Sequence, residues 1–155
     1  MNPAGPERVA NLRKLIALGF ERFTLNYWHS FNGVDPARLA EEVRPVAEAG
    51  KVKISAVSFF GNPLPENEEG EVARESIAHL IDCAPLFGCD IVSGFTCRLP
   101  DVPIPENIAR FKEVRHPWRS VPPRKTSASP GKIVRCTGIG IAAAGILPTI
   151  PTPGS

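Results

Sequence analysis

Three short apolar runs, "FTLNYW" at 23–28, "VKISAVSFF" at 52–60 and "DIVSGFT" at 90–96, recur along the chain with helix-patterned segments between them. Their spacing of roughly 30–37 residues is that of a strand–helix unit. Right-handed crossovers lay such strands side by side and parallel, with the helices outside. The second run is almost continuously apolar and reads as a strand covered on both faces. The fold class expected is therefore α/β. Two architectures fit: an open doubly wound sheet, or a partial (β/α)8 barrel of about three parallel strands with outer helices. Neither a GxGxxG nor a GxxxxGK[ST] pattern follows any run, so the phosphate-cradling fingerprints of open nucleotide-binding sheets are absent. That tilts the reading towards the barrel. A whole barrel takes about 250 residues, and this chain has 155.

The intervening segments carry helix signals. "PERVANLRKLIALGF" places Val9, Leu12, Leu15 and Ile16 on one face and Gly19 at the C-terminal stop. Asp35 before Pro36 is an N-cap followed by proline at the first helical position. Leu39, Val43, Val46 and Ala47 form the buried stripe, Gly50 ends the helix, and Pro45 is expected to kink it. Val72, Ala73, Ile77, Leu80, Ile81 and Ala84 share a third face with Gly88 as stop, and "IPENIARFKEV" begins a fourth helix through Ile108 and Phe111. The order is α-β-α-β-α-β-α.

From Arg115 the text changes. All 16 acidic residues lie in 1–114, against 12 of the 18 basic ones, a balance of 12 − 16 = −4. The segment 115–155 holds six basic residues, no acid and seven of the 17 prolines. We divide the chain into a body, 1–114, and a basic, Pro-rich, irregular tail, 115–155, with the composition of a disordered segment. Cys83, Cys89, Cys97 and Cys136 form no Cys-x-x-Cys pair, which fits reduced thiols in a cytoplasmic protein. The N-terminus lacks the apolar core of a signal peptide, and no run is long enough for a membrane helix.

In both architectures ligands bind at the C-terminal ends of the strands. Those positions hold Asn26, Tyr27, Trp28 and His29, then Ser58 to Pro63, then Ser93, Gly94, Phe95 and Thr96. Aromatic walls with small polar groups between them suit a polyhydroxylated small molecule, whose C–H face stacks on rings while amides bind its hydroxyls. The substrate-binding candidates are Asn26, Trp28, His29, Phe60, Asn62 and Phe95. Phe59, Phe95 and Trp28 could equally be packing, and Asn62 a turn former beside Gly61 and Pro63. Glu66, Glu68, Glu69 and Glu71 read as a charged helix start. No metal ligand set and no acid/base pair is visible, so no catalytic and no metal-binding residue is assigned. His79 and His116 receive no role.

The stretches "ANLRKLIALGFERFTLNYWHSFNGVDPARLAEEVRPV", "ISAVSFFGNPL" and "CDIVSGFTCRLPDVPIPENIARFKEV" resemble the sugar phosphate isomerase/epimerase family, the xylose isomerase-like barrels, over about residues 6–114. The resemblance implies a divalent metal (Mn, Mg or Zn) held by carboxylates and a histidine in the second half of the barrel. It also implies proton transfer α to a carbonyl by a glutamate, with the metal stabilising the enediolate. The first such ligand is typically a glutamate in a Glu-Asn pair on the strand after the "FKEV" helix. Here "RHPWRSVPPRKT" stands in that place, and no glutamate follows Glu113. The chain is expected to bind no metal itself and to be an inactive fragment of that family.

The tail has a second reading. Codons exist for it that, read from the third base of its first codon, encode a continuation beginning "APLAERAAAKDVRIAWENC". That continuation completes the helix, adds an apolar strand and ends it on the Glu-Asn pair. We therefore expect a frameshift near Val114 in the gene or its reported sequence. The expected partner is a sugar or sugar phosphate, with no membrane, no nucleic acid, and self-association through unpaired strand edges. Competing readings are a non-enzymatic binding module for a small molecule or protein, and a basic-tailed nucleic-acid binder.

Overall fold

The computed structural model describes residues 5–95 and 97–120. The elements follow the expected order: α1 (Gly5–Ala17), β1 (Arg22–Trp28), α2 (Pro36–Ala49), β2 (Lys53–Phe60), α3 (Glu68–Cys83), β3 (Val92–Gly94) and α4 (Ile104–Arg115). Short 3-10 turns follow α3 at Ala84–Phe87 and α4 at His116–Ser120. The strands form one parallel sheet in the order β1-β2-β3, with each crossover supplying a helix. The fold is α/β, an arc of a (β/α)8 barrel with its helices outside.

Local chemistry sets the boundaries. Asp35 accepts a hydrogen bond from the Ala37 N–H at 3.1 Å, and Pro36 opens α2 where its missing N–H costs nothing. Asn67 caps α3 by accepting from the Gly70 N–H at 3.0 Å, while Glu68, Glu69 and Glu71 complement the positive end of the helix dipole. Gly19 and Gly88 end their helical segments with φ of 89° and 73°, a region other residues enter at a cost. Gly50 differs from this expectation: its φ is −78°, and Lys51 takes the left-handed turn at 54°. Gly50 is needed for space instead, since a Cβ there would meet Ile16 Cδ1 at 2.9 Å. The helix α2 runs through Pro45, which lies on its exposed side, as one continuous element.

The core lies between sheet and helices. Leu12, Leu39, Val43, Val46, Ala47, Ile54, Val57, Phe59, Ala73, Ile77 and Leu80 are buried there. Three helix-face expectations fail: Leu15, Val72 and Ile108 are exposed, while Asn107 and Val114 fill the buried face of α4. Packing continues past Val114, since Trp118 in the following turn joins the core cluster. The tail residues 121–155, including Cys136, lie outside the described residues, as does Thr96.

The second strand is covered on both faces towards its C-terminal end, where Val57, Ser58 and Phe59 are buried and Phe60 is half-buried, whereas the first strand is covered on one face only. Tyr27, Val57 and Phe59 point to the helices and are fully buried. On the opposite face Thr24, Asn26 and Trp28 of β1 are exposed, because an arc of three strands does not close over its own inner surface. A register shift between Phe23 and Thr24 leaves Ser55 as the extra residue of β2. Its Oγ is buried and finds no hydrogen-bond partner among the described residues.

Candidate functional site

Strand register assembles the site. Trp28 lies opposite Phe60, and one position beyond the Phe59–Gly94 pair the chain places Phe95 beside Phe60. The ring centroids of Trp28 and Phe60 are 4.6 Å apart with planes tilted by 39°. Those of Phe60 and Phe95 are also 4.6 Å apart, tilted by 35°. The two outer rings stay half-exposed, at 50% for Trp28 and 47% for Phe95. Two residues earlier along each strand, on the same face, stand Asn26, Ser58 and Ser93. Ser58 Oγ and Ser93 Oγ share a 2.6 Å hydrogen bond. The inner face at the strand ends is thus an aromatic row above a row of small polar groups.

Of the six sequence candidates, Asn26, Trp28, Phe60 and Phe95 come together on this face. His29 is exposed just beyond it, with φ of 59°. Its N–H donates to the Phe60 carbonyl at 3.1 Å, and the chain then reverses through a Ser30 N–H to Trp28 carbonyl bond of 2.7 Å. Asn62 is occupied in holding loops together. Its Oδ1 accepts from the Leu64 N–H at 3.1 Å and its Nδ2 donates to the Arg98 carbonyl at 3.3 Å.

Sequence reasoning missed the residue that shapes the other side of this rim. Asn107 is buried in α4, and its carboxamide serves the loop between β3 and α4. Its Oδ1 accepts from Leu99 N–H at 2.7 Å, while Nδ2 donates to the Val102 carbonyl at 2.8 Å and lies 3.3 Å from those of Leu99 and Pro103. The available signal was a polar residue on the buried stripe of an amphipathic helix. Replacing Asn107 with Ala strands these buried groups and is expected to cost about 1–3 kcal/mol, read as a lower urea midpoint.

Behind the sheet lies a second polar cluster, on the helix side. The Arg8 guanidinium sits 4.2 Å from the centroid of the Tyr27 ring. Tyr27 packs edge-on against Phe31 at 5.0 Å, and Phe31 contacts Phe59 and His79 at 5.8 and 5.7 Å. His79 Nε2 lies 3.5 Å from Asp35 Oδ1 and 3.7 Å from Cys83 Sγ. Both contacts use the same ring nitrogen, so no relay runs from carboxylate through imidazole to sulfur. Burial also pushes the Cys83 thiol up, against the depressed pKa a nucleophilic cysteine needs. This cluster is packing and not a catalytic triad.

Burial pushes the Tyr27 phenol up to about 12 and the Cys89 thiol up to about 11. Both groups bind their proton more tightly folded than unfolded. Their contribution is complete below the unfolded pKa values, ordinarily 9.0 for the thiol and 10.0 for the phenol. It is lost as pH rises through the folded ones. Thermal melts should therefore show a midpoint that falls between about pH 9 and 12, with Tyr27→Phe flattening the upper part of that fall.

Among the described residues no group of three or more His, Cys, Asp or Glu side chains is placed to hold a metal ion. The donor set does not fit the divalent cation that the family resemblance implies, and no chemical step through one is derived from these residues. No helix among them is long and apolar enough to cross a membrane.

No protein-family model and no curated protein matches the chain. It is similar to the crystal structure of a xylose isomerase-like TIM barrel protein from Mycobacterium smegmatis in complex with magnesium, with a TM-score of 0.53 and 24% sequence identity. The match takes in 76% of this chain and spans 45% of that one. At this identity the likeness establishes architecture, and the architecture is that of a TIM barrel, of which the described strands form an arc.

Proposed function

We propose that the inner strand-end face is the N-terminal share of a sugar-binding site in an isomerase/epimerase-like barrel. The observation that carries this reading is the contact row Trp28–Phe60–Phe95 standing over Asn26 and the Ser58–Ser93 hydroxyl pair. Rings of this kind stack on the C–H face of a sugar, and the exposed Asn26 amide below can exchange hydrogen bonds with its hydroxyls, the buried Ser58 hydroxyl being held by Ser93. Asn26 is the free amide of the set. Asn62 acts by fixing the rim, and His29 stands at its edge. The proton-moving step of such an enzyme, and the divalent metal it uses, are assigned to no residue described in this chain. The chain is a cytoplasmic binding fragment of that family, without turnover of its own.

Titrating pentoses, hexoses and their phosphate esters while following tryptophan fluorescence tests the site. We expect saturable quenching at millimolar sugar that Trp28→Ala abolishes and Trp118→Phe retains. Absence of any response, or one that survives Trp28→Ala, sinks the reading. Turnover of any of these sugars with added Mn²⁺ or Mg²⁺ would show an active enzyme in place of a fragment.

The tail belongs to the same proposal. Its acid-free composition and the in-register continuation in a shifted frame support a frameshift near Val114. Sequencing the DNA across that codon decides it: a clean read with no shifted continuation of helix and strand rules the frameshift out.

A further inference from the structure

Exposed apolar side chains and unpaired cations meet at the N-terminal ends of the strands, opposite the aromatic row. The turn from α1 into β1 is exposed from Ala17 to Arg22, with Leu18 and Phe20 at 74% and 54%. Its path is fixed by the end of the helix. The Leu18 N–H donates to the Lys14 carbonyl and the Phe20 N–H to the Leu15 carbonyl, each at 3.2 Å, and Gly19 turns between them. The turn from α2 into β2 lies against it. A Cβ on Gly50 would stand 2.9 Å from Ile16 Cδ1, and the Lys53 N–H donates to the Glu21 carbonyl at 2.9 Å. Arg22 and Lys53 are partners in the ladder, and Lys14 is one helical turn before Leu18. Lys14, Arg22, Lys51 and Lys53 are thus gathered around Leu18 and Phe20, and all four are exposed. None of them pairs with a carboxylate among the described residues. Within the two turns, 17–22 and 50–53, Glu21 is the only acid, although residues 1–114 carry 16 acids against 12 basic residues.

Two features here are disfavoured on their own. Like charges stand opposite each other at Arg22 and Lys53. Lys51 holds a left-handed φ of 54°, where glycine would sit without strain. We propose that this end of the sheet docks on an anionic lipid surface, with Leu18 and Phe20 entering the headgroup layer and the four cations meeting lipid phosphates and carboxylates. Bulky apolar groups flanked by Lys and Arg are the arrangement of an interfacial anchor, and a cytoplasmic leaflet supplies the negative charge. A nucleic acid would satisfy the cations but leave Leu18 in water, since an aliphatic side chain offers no ring on which a base can stack. The expectation of no membrane partner rested on the lack of a spanning segment, and a surface-docked chain spans nothing. The surface is independent of the sugar-binding reading, because it lies at the other end of the strands.

The test sediments the full chain with vesicles of phosphatidylcholine, alone or with about 30% phosphatidylserine. We expect retention on the mixed vesicles only, falling about tenfold as salt rises from about 0.1 M to about 0.5 M. Leu18→Ser with Phe20→Ser, and Lys51→Glu with Lys53→Glu, should each reduce retention about tenfold. Arg38→Glu with Lys112→Glu, the same charge change at unpaired cations elsewhere, should leave it unchanged. All these side chains are exposed, so melts at the wild-type temperature are part of the expected result. Lys51→Gly should weaken retention without lowering the melt, which a purely structural lysine would not do. No retention of the wild type overturns the proposal. So does equal retention of both pairs of variants, which would assign binding to the six basic residues of 115–155. It is overturned as well if the Leu18 and Phe20 pair is retained like wild type while the lysine pair is lost, because the cations would then serve a soluble polyanion such as RNA.

Discussion

Replacing Gly94 with Ala should break the third strand from the sheet, with a loss of about 1–3 kcal/mol. Gly94 lies opposite Phe59 in the β2–β3 ladder, and a Cβ at this position would stand 2.5 Å from the Phe59 carbonyl oxygen. That neighbour is backbone, so it has no rotamer through which to yield. The strand is only three residues long and has no spare pairing to absorb a shift. Phe95 follows directly, so the same change should also separate Phe95 from Phe60. Two readouts check this. The urea midpoint should fall, and amide exchange at Val92–Gly94 should accelerate more than in α2. A midpoint equal to wild type would mean that the two strands are not in this register.

Phe59→Ala should be more damaging still, at about 3–5 kcal/mol. Its ring is fully buried, stacked edge-on with Phe31 and pressed against the backbone at Gly61, where an added Cβ would meet the ring at 2.6 Å and Ala73 at 3.3 Å. Truncation removes the transfer energy of an aromatic side chain and leaves a cavity between β2, α3 and the loop after β1. A small arc of barrel has little stability in reserve, so we expect the variant to lose its cooperative thermal transition. Phe59→Leu, which keeps most of the volume, should retain it. A cooperative melt for Phe59→Ala within a few degrees of wild type would place Phe59 outside the core.

The contrast between Phe59 and Phe60 shows how much a sequence of this kind reveals. The run "VSFF" names two adjacent aromatics, and strand alternation sends them to opposite faces. The strand ends at 28, 60 and 95 then fall in one row as soon as the strands are taken as parallel and consecutive. The stripe of α2 was legible for the same reason, since every member of it is buried. Leu15, Val72 and Ile108 were misread because periodicity identifies an apolar arc of a helix without saying which flank of that arc has a neighbour. In a barrel each helix is flanked by two others, and at the ends of an arc one flank is missing, which accounts for Leu15 of α1 and Ile108 of α4 but not for Val72 of α3. Asn62 was legible as a turn former, and its Oδ1 does accept from the Leu64 N–H two residues on, but its long-range bond and Asn107 escaped for a different reason. Their partners, at Arg98 and at Leu99 to Pro103, depend on the path of a loop that no local pattern describes.

The strand order β1-β2-β3 bears on how the polypeptide is made. Among the described residues, every pairing joins strands that are consecutive along the chain, so none of these waits for a distant segment to emerge from the ribosome. Each unit can lay itself on the previous one as synthesis proceeds. The growing nascent chain thus always presents one fresh ladder to whatever is translated next, and the reading frame at that moment decides whether the next residues can use it.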